Sequence, residues 1–383
     1  MKKSIDLLIF AKSIDGGTGT FIRDFLQIQK LNGIHGRVDI QLMVLERPSY
    51  RISLRQPINF FTHQEFYPLH YHLSFRNIRN TYKELVWFIQ QFQIQKPDSI
   101  LTVDAHCLMI ASLVKLITHS KYTILATIHN NLSEILRMKS SPILYFFLQY
   151  IFGLFLQKAD CVVCVSKTLA DNIYRSFHLS TKPVVIYNGI EVPSTFHLPT
   201  KKRVKQKKVI MMLSRLVEQK DHTTLIDAFY QLQKTFPSVE LTIVGDGPLR
   251  KFLEDKVRML GIWKQVKFLG WVNHPEDVLA QADIFVLSSK REGFGYVLLE
   301  AMKAGLPVIA SDCPFGPSEI LGKNTYGLLF PIGDAEALEQ ALYQLLTDER
   351  VYSHFQKASL RRYQMFDLQK MLVKYRNLIR YMD

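Results

Sequence analysis

Short apolar runs recur along the chain. In the first half they are Ile5–Phe10, Gln41–Leu45, Ser99–Asp104, Tyr122–Ile128, Asp160–Val165 and Val184–Ile186. In the second half they are Val209–Leu213, Leu241–Val244, Val266–Gly270, Ile284–Leu287 and Pro307–Ala310. Each has the length of a buried strand. Between them lie stretches with helical spacing: Glu84–Phe92, Leu169–Phe177, Thr223–Leu232, Val297–Lys303, Ala335–Leu346 and Met365–Met382. Strands alternate with helices and no repeat unit appears, so the pattern predicts two doubly wound α/β domains. Pro193–Lys208, with Pro193, Pro199 and a basic run, reads as a linker. The domains are then 1–190 and 209–364, joined by a basic linker at 191–208 and followed by a helix within 365–383.

One run departs from this pattern. Ile143–Leu156, ILYFFLQYIFGLFL, is apolar on every face. It falls short of the ~20 residues a spanning helix needs, and Gln149 interrupts it. Two readings stand: a buried core helix, or an interfacial helix on an anionic membrane, because aromatics flanked by Arg137, Lys139 and Lys158 also mark interfaces. Asp6 interrupts the apolar stretch at the N-terminus, which therefore lacks a signal-peptide pattern. The expectation is a cytoplasmic protein, soluble or peripheral on the inner face of the plasma membrane.

Composition adds a charge asymmetry. Residues 1–200 hold 21 Lys and Arg against 13 Asp and Glu, a net +8; residues 201–208 add +6, and residues 209–383 balance to zero. An anionic partner is expected on the first half and linker. Anionic lipid and a pyrophosphate-linked acceptor fit; nucleic acid is set aside because no helix-turn-helix, zinc-finger or RNA-binding signature occurs. Cys161 and Cys164 form a C-x-x-C inside an apolar strand, which favours buried thiols over a redox or zinc site.

The chemistry concentrates in Ser288–Leu321. After the strand Ile284–Leu287 come Glu292-Gly293-Phe294-Gly295, then a helix carrying Glu300, then the strand Pro307–Ala310. Loops at this place in open parallel sheets bind ligands. Glu300 sits among Val297, Leu298, Leu299, Ala301 and Met302, where an unpaired charge costs several kcal/mol unless it meets donors such as sugar hydroxyls. Amides around Gly293–Tyr296, at a helix N-terminus, suit a phosphate. A surface loop with a salt-bridged glutamate accounts for the same spacing equally well.

The residues E-G-F-G-x-x-x-x-E resemble the signature of retaining glycosyltransferases of family 4. That resemblance implies a GT-B fold: two doubly wound Rossmann-like parallel-sheet domains facing across a cleft, with the last helix returning to the first domain. It implies that Glu292 contacts the donor sugar, Glu300 the nucleotide ribose, and Gly293, Phe294, Gly295 and Tyr296 the sugar and diphosphate. Ser311–Ile320, including Glu319 as a further candidate, looks like a lineage building lipopolysaccharide and other cell-surface polysaccharides.

Other stretches extend the resemblance. Arg215 and Lys220 follow the strand Val209–Leu213, where two cations can hold a diphosphate; they match the family's R-L-x-x-x-K. Asp221 stands where the family usually has glycine and reads as a helix N-cap. Gly16, Gly17 and Gly19 read as a glycine turn between strand and helix and match the family's G-G-x-G. His106 and His129 follow strands Ser99–Asp104 and Tyr122–Ile128. His129 resembles the family histidine near the donor sugar, with Asn130 where Asp is usual. Asn188 belongs to an N-G turn like the one closing the family's first domain. Gly245-Asp246-Gly247-Pro248 reads as structural, and the Arg- and His-rich residues 47–80 as an acceptor-facing region or a solvated surface.

The resemblance implies a hexose or N-acetylhexosamine moved with retention from a nucleotide sugar, a UDP-sugar first among them, to a lipid-linked or growing surface glycan. The catalytic set would be Glu292, His129, Arg215 and Lys220. No Asp-x-Asp occurs, so neither metal nor cofactor is expected. A nucleotide-sugar epimerase on the same fold and a non-catalytic polyanion-binding protein are the rivals.

Overall fold

Apolar runs too short for helices pair edge to edge here, and among the described residues every strand-to-strand ladder is parallel. The structure, a computed structural model, describes residues 5–11, 16–30, 38–44, 59–62, 75–193 and 207–382. The chain divides into two compact units, Met1–Gly189 with Leu368–Asp383, and Ile190–Asp367.

The first unit holds β1 (Ile5–Ala11), β2 (Val38–Val44), β3 (Asn59–Thr62), β4 (Ser99–Thr102), β5 (Thr123–Ile128), β6 (Cys161–Cys164) and β7 (Val184–Val185). Their order is β3-β2-β1-β4-β5-β6-β7. The second unit holds β8 (Val209–Leu213), β9 (Glu240–Val244), β10 (Val266–Gly270), β11 (Ile284–Leu287), β12 (Val308–Ser311) and β13 (Leu328–Phe330), in the order β10-β9-β8-β11-β12-β13. All neighbours are parallel, as between β1 and β4 or β8 and β11. The central strands are buried end to end: Leu7–Ala11, Ile100–Leu101 and Ile284–Leu287 are closed to solvent. Helices must therefore cover both faces of each sheet.

Strand order reverses once in each sheet, between β1 and β4 and between β8 and β11. Loops leaving the carboxyl ends of those strands diverge to opposite faces, and the crevice they leave is the ligand site of doubly wound folds.

Several expectations change. Gly16, Gly17 and Gly19 are not a turn ahead of a helix; they form the first turn of the helix Gly16–Phe25 itself. The first turn has no preceding residues to pair with its amides. The last helix begins at Leu368 rather than Met365, because Asp367 leaves the helical path to bridge to Ile190. Of the basic linker, 194–206 lie outside the described residues, as do 47–58 and 63–74 of the Arg- and His-rich region. Cys161 is half-buried and Cys164 buried, both free, and burial raises both thiol pKa values, that of Cys161 to about 11.

Candidate functional site

At the reversal in the second unit, β8 and β11 lie side by side through Ile210↔Ile284 and Met211↔Phe285. The loops that leave them, Ser214–Asp221 and Ser288–Gly295, are fastened together. The Ser288 hydroxyl, fully buried, donates to the carbonyls of Asp221 at 2.8 Å and Lys220 at 3.1 Å. The Lys290 amide donates to Gln219 O at 2.8 Å, and Gln219 Nε2 donates to Arg291 O at 2.9 Å. The Ser311 hydroxyl donates to the Ser289 carbonyl from β12.

This stitching brings Lys220 to Glu292. Lys220 Nζ lies 2.5 Å from Glu292 Oε1, and Ser289 Oγ donates to the same oxygen at 2.6 Å. The two side chains are only 16% and 9% exposed, so solvent screens the pair weakly. Buried Cys313 senses the same charge: burial first, then the Glu292 carboxylate, pushes its thiol up to about 12. Arg215 is different. It is exposed, and among the described residues its guanidinium has no ion-pair or hydrogen-bond partner.

The Arg215 segment is held from beneath. Gly245 has φ +125°, and a Cβ there would stand 2.0 Å from Ser214 O. Leu216 N also donates to Asp246 O at 2.9 Å. The Gly-Asp-Gly turn after β9 thus shapes the loop bearing Arg215. Buried His222 sits 3.0 Å from Ser214 Oγ through Nε2; burial, then the Lys220 charge, pulls its pKa from 6.5 to about 4, so it is neutral at pH 7. Asp221 precedes the helix His222–Gln233, yet it does not cap a backbone amide. Its backbone is left-handed, φ +47°, and its carboxylate accepts from Thr224 Oγ at 2.7 Å. That conformation is one glycine adopts without strain.

The Glu292 loop turns into the helix Tyr296–Lys303 through Gly295, φ +97°. Gly316 presses on this loop: a Cβ there would meet Phe294 O at 2.1 Å, and its φ is +90°. Phe294 packs edge-on against Tyr296 and Phe366 at 5.9 and 5.8 Å. Glu300 is half-buried in the helix, one turn beyond Tyr296. Glu319 lies in the helix Pro317–Leu321 directly after Gly316. Arg362 donates to the carbonyls of Glu319 at 2.6 Å and Ile320 at 2.7 Å while its guanidinium stacks on Tyr326 and Phe366.

The first unit gathers a second group at its own reversal. The helix Gly16–Phe25 follows β1; His106 occupies the first turn of the helix Ala105–Thr118 after β4, capped by Asp104 Oδ1 on the Cys107 amide at 2.9 Å. His129 directly follows β5. Its ring lies 4.4 Å from that of Phe21, and Nε2 is 3.3 Å from Thr127 Oγ. An edge stays open to solvent, while enclosure of the rest pulls its pKa to about 3. Asn188 is 2% exposed, its Oδ1 unpaired among the described residues, beside Gly189, whose amide points at Met371 Sδ at 3.1 Å.

Known proteins give this arrangement its family. The profile described as "Glycosyl transferases group 1" matches residues 195–362, and "Glycosyltransferase Family 4" matches residues 39–192. The chain belongs to glycosyltransferase family 4. The HepE protein of Anabaena, in a crystal structure with UDP and glucose, matches this family 4 chain with a TM-score of 0.77 over 98% of this chain and 99% of that one, at 20% identity. The fold is GT-B. Among curated relatives, the "N-acetylgalactosamine-N,N'-diacetylbacillosaminyl-diphospho-undecaprenol 4-alpha-N-acetylgalactosaminyltransferase" of Campylobacter jejuni is 26% identical over 57% of this chain and 60% of its own length. The "Lipopolysaccharide core biosynthesis glycosyltransferase LpsE" of Rhizobium meliloti is 30% identical over 51% of this chain and 56% of its own. The matches thus span somewhat over half of these relatives.

Of the residues singled out by sequence, the structure brings Arg215, Lys220, Glu292 and Gly293–Tyr296 to one strand reversal. It gathers Gly16, Gly17, Gly19, His106 and His129 at the other. Sequence reasoning treated Lys220 and Glu292 as ligands of different donor groups and did not foresee their pairing. It also passed over Ser214, His222, Ser288 and Ser289. The signal for the last two was present: a polar Ser-Ser pair directly after a wholly apolar strand.

Proposed function

We propose that the chain is a retaining hexosyl- or N-acetylhexosaminyltransferase that uses a UDP-sugar and acts on a lipid-linked or growing surface glycan, on the cytoplasmic side of the membrane. The observation that carries this reading is the Lys220–Glu292 pair at the β8–β11 reversal, with the exposed Arg215 guanidinium on the same loop. Two cations and a carboxylate there match a donor of diphosphate and sugar.

In this reading Arg215 and Lys220 take the charge that grows on the leaving diphosphate, Arg by its planar fork and Lys as a point charge. The amides at the start of Tyr296–Lys303 add to it. Glu292 accepts hydrogen bonds from the donor sugar and Glu300 from the ribose. His129 and the glycines of Gly16–Phe25 are assigned to the donor by family resemblance, with His106, Asn188 and Glu319 as further candidates. The anomeric carbon–phosphate oxygen bond breaks, the acceptor oxygen bonds to that carbon on the same face, and the acceptor proton passes to the departing diphosphate. No covalent glycosyl-enzyme forms, and side-chain cations replace a metal.

The HepE complex with UDP and glucose and the diphospho-undecaprenol in the name of the Campylobacter relative support the choice of donor and acceptor classes. Calorimetry against UDP-, GDP- and ADP-sugars, followed by NMR of the transferred sugar's anomeric proton, tests the reading. Tight UDP-sugar binding with an unchanged anomeric configuration is expected; an inverted product, or isomerised donor without transfer, refutes it.

A further inference from the structure

The helix Pro142–Lys158 resolves a pattern that the sequence leaves blank. Although apolar all round, it has one committed face. Phe152, Gly153 and Leu156 are buried. Gln149 donates to the Ser176 carbonyl, Gln157 to that of His178 at 3.4 Å, and Gly153 backs onto Phe177 O, which a Cβ would meet at 3.2 Å. Tyr145 OH lies 3.1 Å from Ser133 Oγ on the preceding helix, Leu132–Lys139.

The opposite face carries Ile143, Phe146, Phe147, Tyr150 and Leu154, which are 86%, 69%, 56%, 67% and 41% exposed. Their spacing of three, four, seven and eleven from Ile143 puts them on a single stripe. Exposed Lys158 continues that stripe one turn beyond Leu154, and exposed Arg137 and Met138 stand on the preceding helix. From Ile135 to Ala159 the chain carries Arg137, Lys139 and Lys158 and no acidic residue. Soluble surfaces seldom leave so many large apolar side chains in a row without a partner.

We propose that this stripe docks on an anionic lipid bilayer, the helix lying in the plane of the headgroups with the aromatic rings below them and Arg137 and Lys158 at the phosphates. The charge argues for lipid over a second copy of the chain. A two-fold contact sets the same patch against itself, bringing Arg137 and Lys158 of both copies together, while the acids that flank the stretch, Glu134 and Asp160, are already engaged by Asn131 and Lys115. A bilayer rich in anionic lipid supplies the complementary charge, and Phe and Tyr are the residues that settle at its interface. Docking is peripheral: among the described residues no helix is long and apolar enough to cross a membrane. The inference concerns the first unit alone and stands whether or not the sugar-transfer reading holds.

The full chain is sedimented with vesicles of phosphatidylcholine alone and of phosphatidylcholine with phosphatidylglycerol, at low and high salt. Binding is expected to the mixed vesicles, weakening with salt. The triple variant Phe146→Ser, Phe147→Ser, Tyr150→Ser should lose roughly tenfold or more. Arg137→Glu with Lys158→Glu should lose about fivefold or more for each site. Both variants alter exposed side chains, so their melting curves should match the parent, which separates lost docking from lost folding. Absent binding, equal binding to neutral vesicles, or unchanged binding of the triple variant overturns the proposal. So does a dimer in analytical ultracentrifugation that the triple variant dissociates, which gives the stripe to a second copy.

Discussion

Lys220 and Glu292 share one contact, Nζ to Oε1 at 2.5 Å, although 72 residues separate them in the chain. The link between them is the buried Ser288 hydroxyl, which holds the carbonyls of Lys220 and Asp221. A cation and a carboxylate with no ligand bound neutralise each other. In the proposed reaction a diphosphate entering beside Arg215 would compete for Lys220 and release Glu292 to accept from sugar hydroxyls, so the pair would exchange partners.

Arg215 is the cleanest test of the phosphate role because nothing in the described structure depends on its guanidinium. Arg215→Ala should fold and melt like the parent and lose roughly 10²-fold in turnover, the usual cost of removing a partner of transition-state charge. Steady-state kinetics with the preferred donor check this. Activity within a few-fold of the parent removes Arg215 from the site.

If side chains alone carry the positive charge, full activity should survive EDTA. Dialysis against the chelator followed by assay with and without added Mg²⁺ or Mn²⁺ decides. Complete loss, restored by either ion, contradicts the metal-independent reading.

Two enclosed histidines make stability depend on pH. In the folded chain His222 titrates near 4 and His129 near 3, against 6.5 for an ordinary imidazole. Depressed folded values mean that the unfolded chain binds protons first as pH falls. Their stabilising contribution is therefore complete above about pH 6.5 and drains away below it, down to about pH 4 for His222, which loses about 3 kcal/mol, and down to about pH 3 for His129. Melting temperature should decline through that window, and His222→Asn should flatten the decline of the second unit's transition. An unchanged slope in the variant shows that His222 is not the group responsible.

Gly316 supports the Glu292 loop through a contact no other residue permits, since a Cβ would overlap the Phe294 carbonyl at 2.1 Å. Gly316→Ala combines that clash with an unfavourable positive φ and should cost about 2–4 kcal/mol. Urea unfolding measures it; a change under 0.5 kcal/mol means that the backbones do not meet there.

Much of this was legible in the chain. Val209–Leu213, Val266–Gly270 and Ile284–Leu287 occupy the strands their apolar runs predict, residue for residue. Fully buried parallel strands announce themselves by composition alone. What periodicity could not show was contact across distance. The Lys220–Glu292 pair depends on β8 and β11 being neighbours, a fact of topology. Asp221 looked like a cap because its side chain suits one; its left-handed backbone is imposed by the tight turn after Lys220. Ile143–Leu156 is apolar on all faces, so no hydrophobic pattern could tell which face the core takes, and only the contacts of Gln149, Gly153 and Gln157 decide it.

The proposed function divides the donor between two glutamates, sugar to Glu292 and ribose to Glu300, and calorimetric titration of UDP and UDP-sugar into two variants tests that division most directly. Glu300→Gln should weaken both ligands alike, by roughly 10- to 150-fold for a lost charged hydrogen bond to the ribose. Glu292→Gln should leave UDP binding undiminished, since the diphosphate no longer competes with a carboxylate for Lys220, while turnover collapses, because its proposed partner is the sugar. Circular dichroism of both variants should match the parent. Equal loss of UDP affinity in the two, or a Glu300→Gln variant that binds UDP normally, contradicts the assignment of ribose to one carboxylate and sugar to the other.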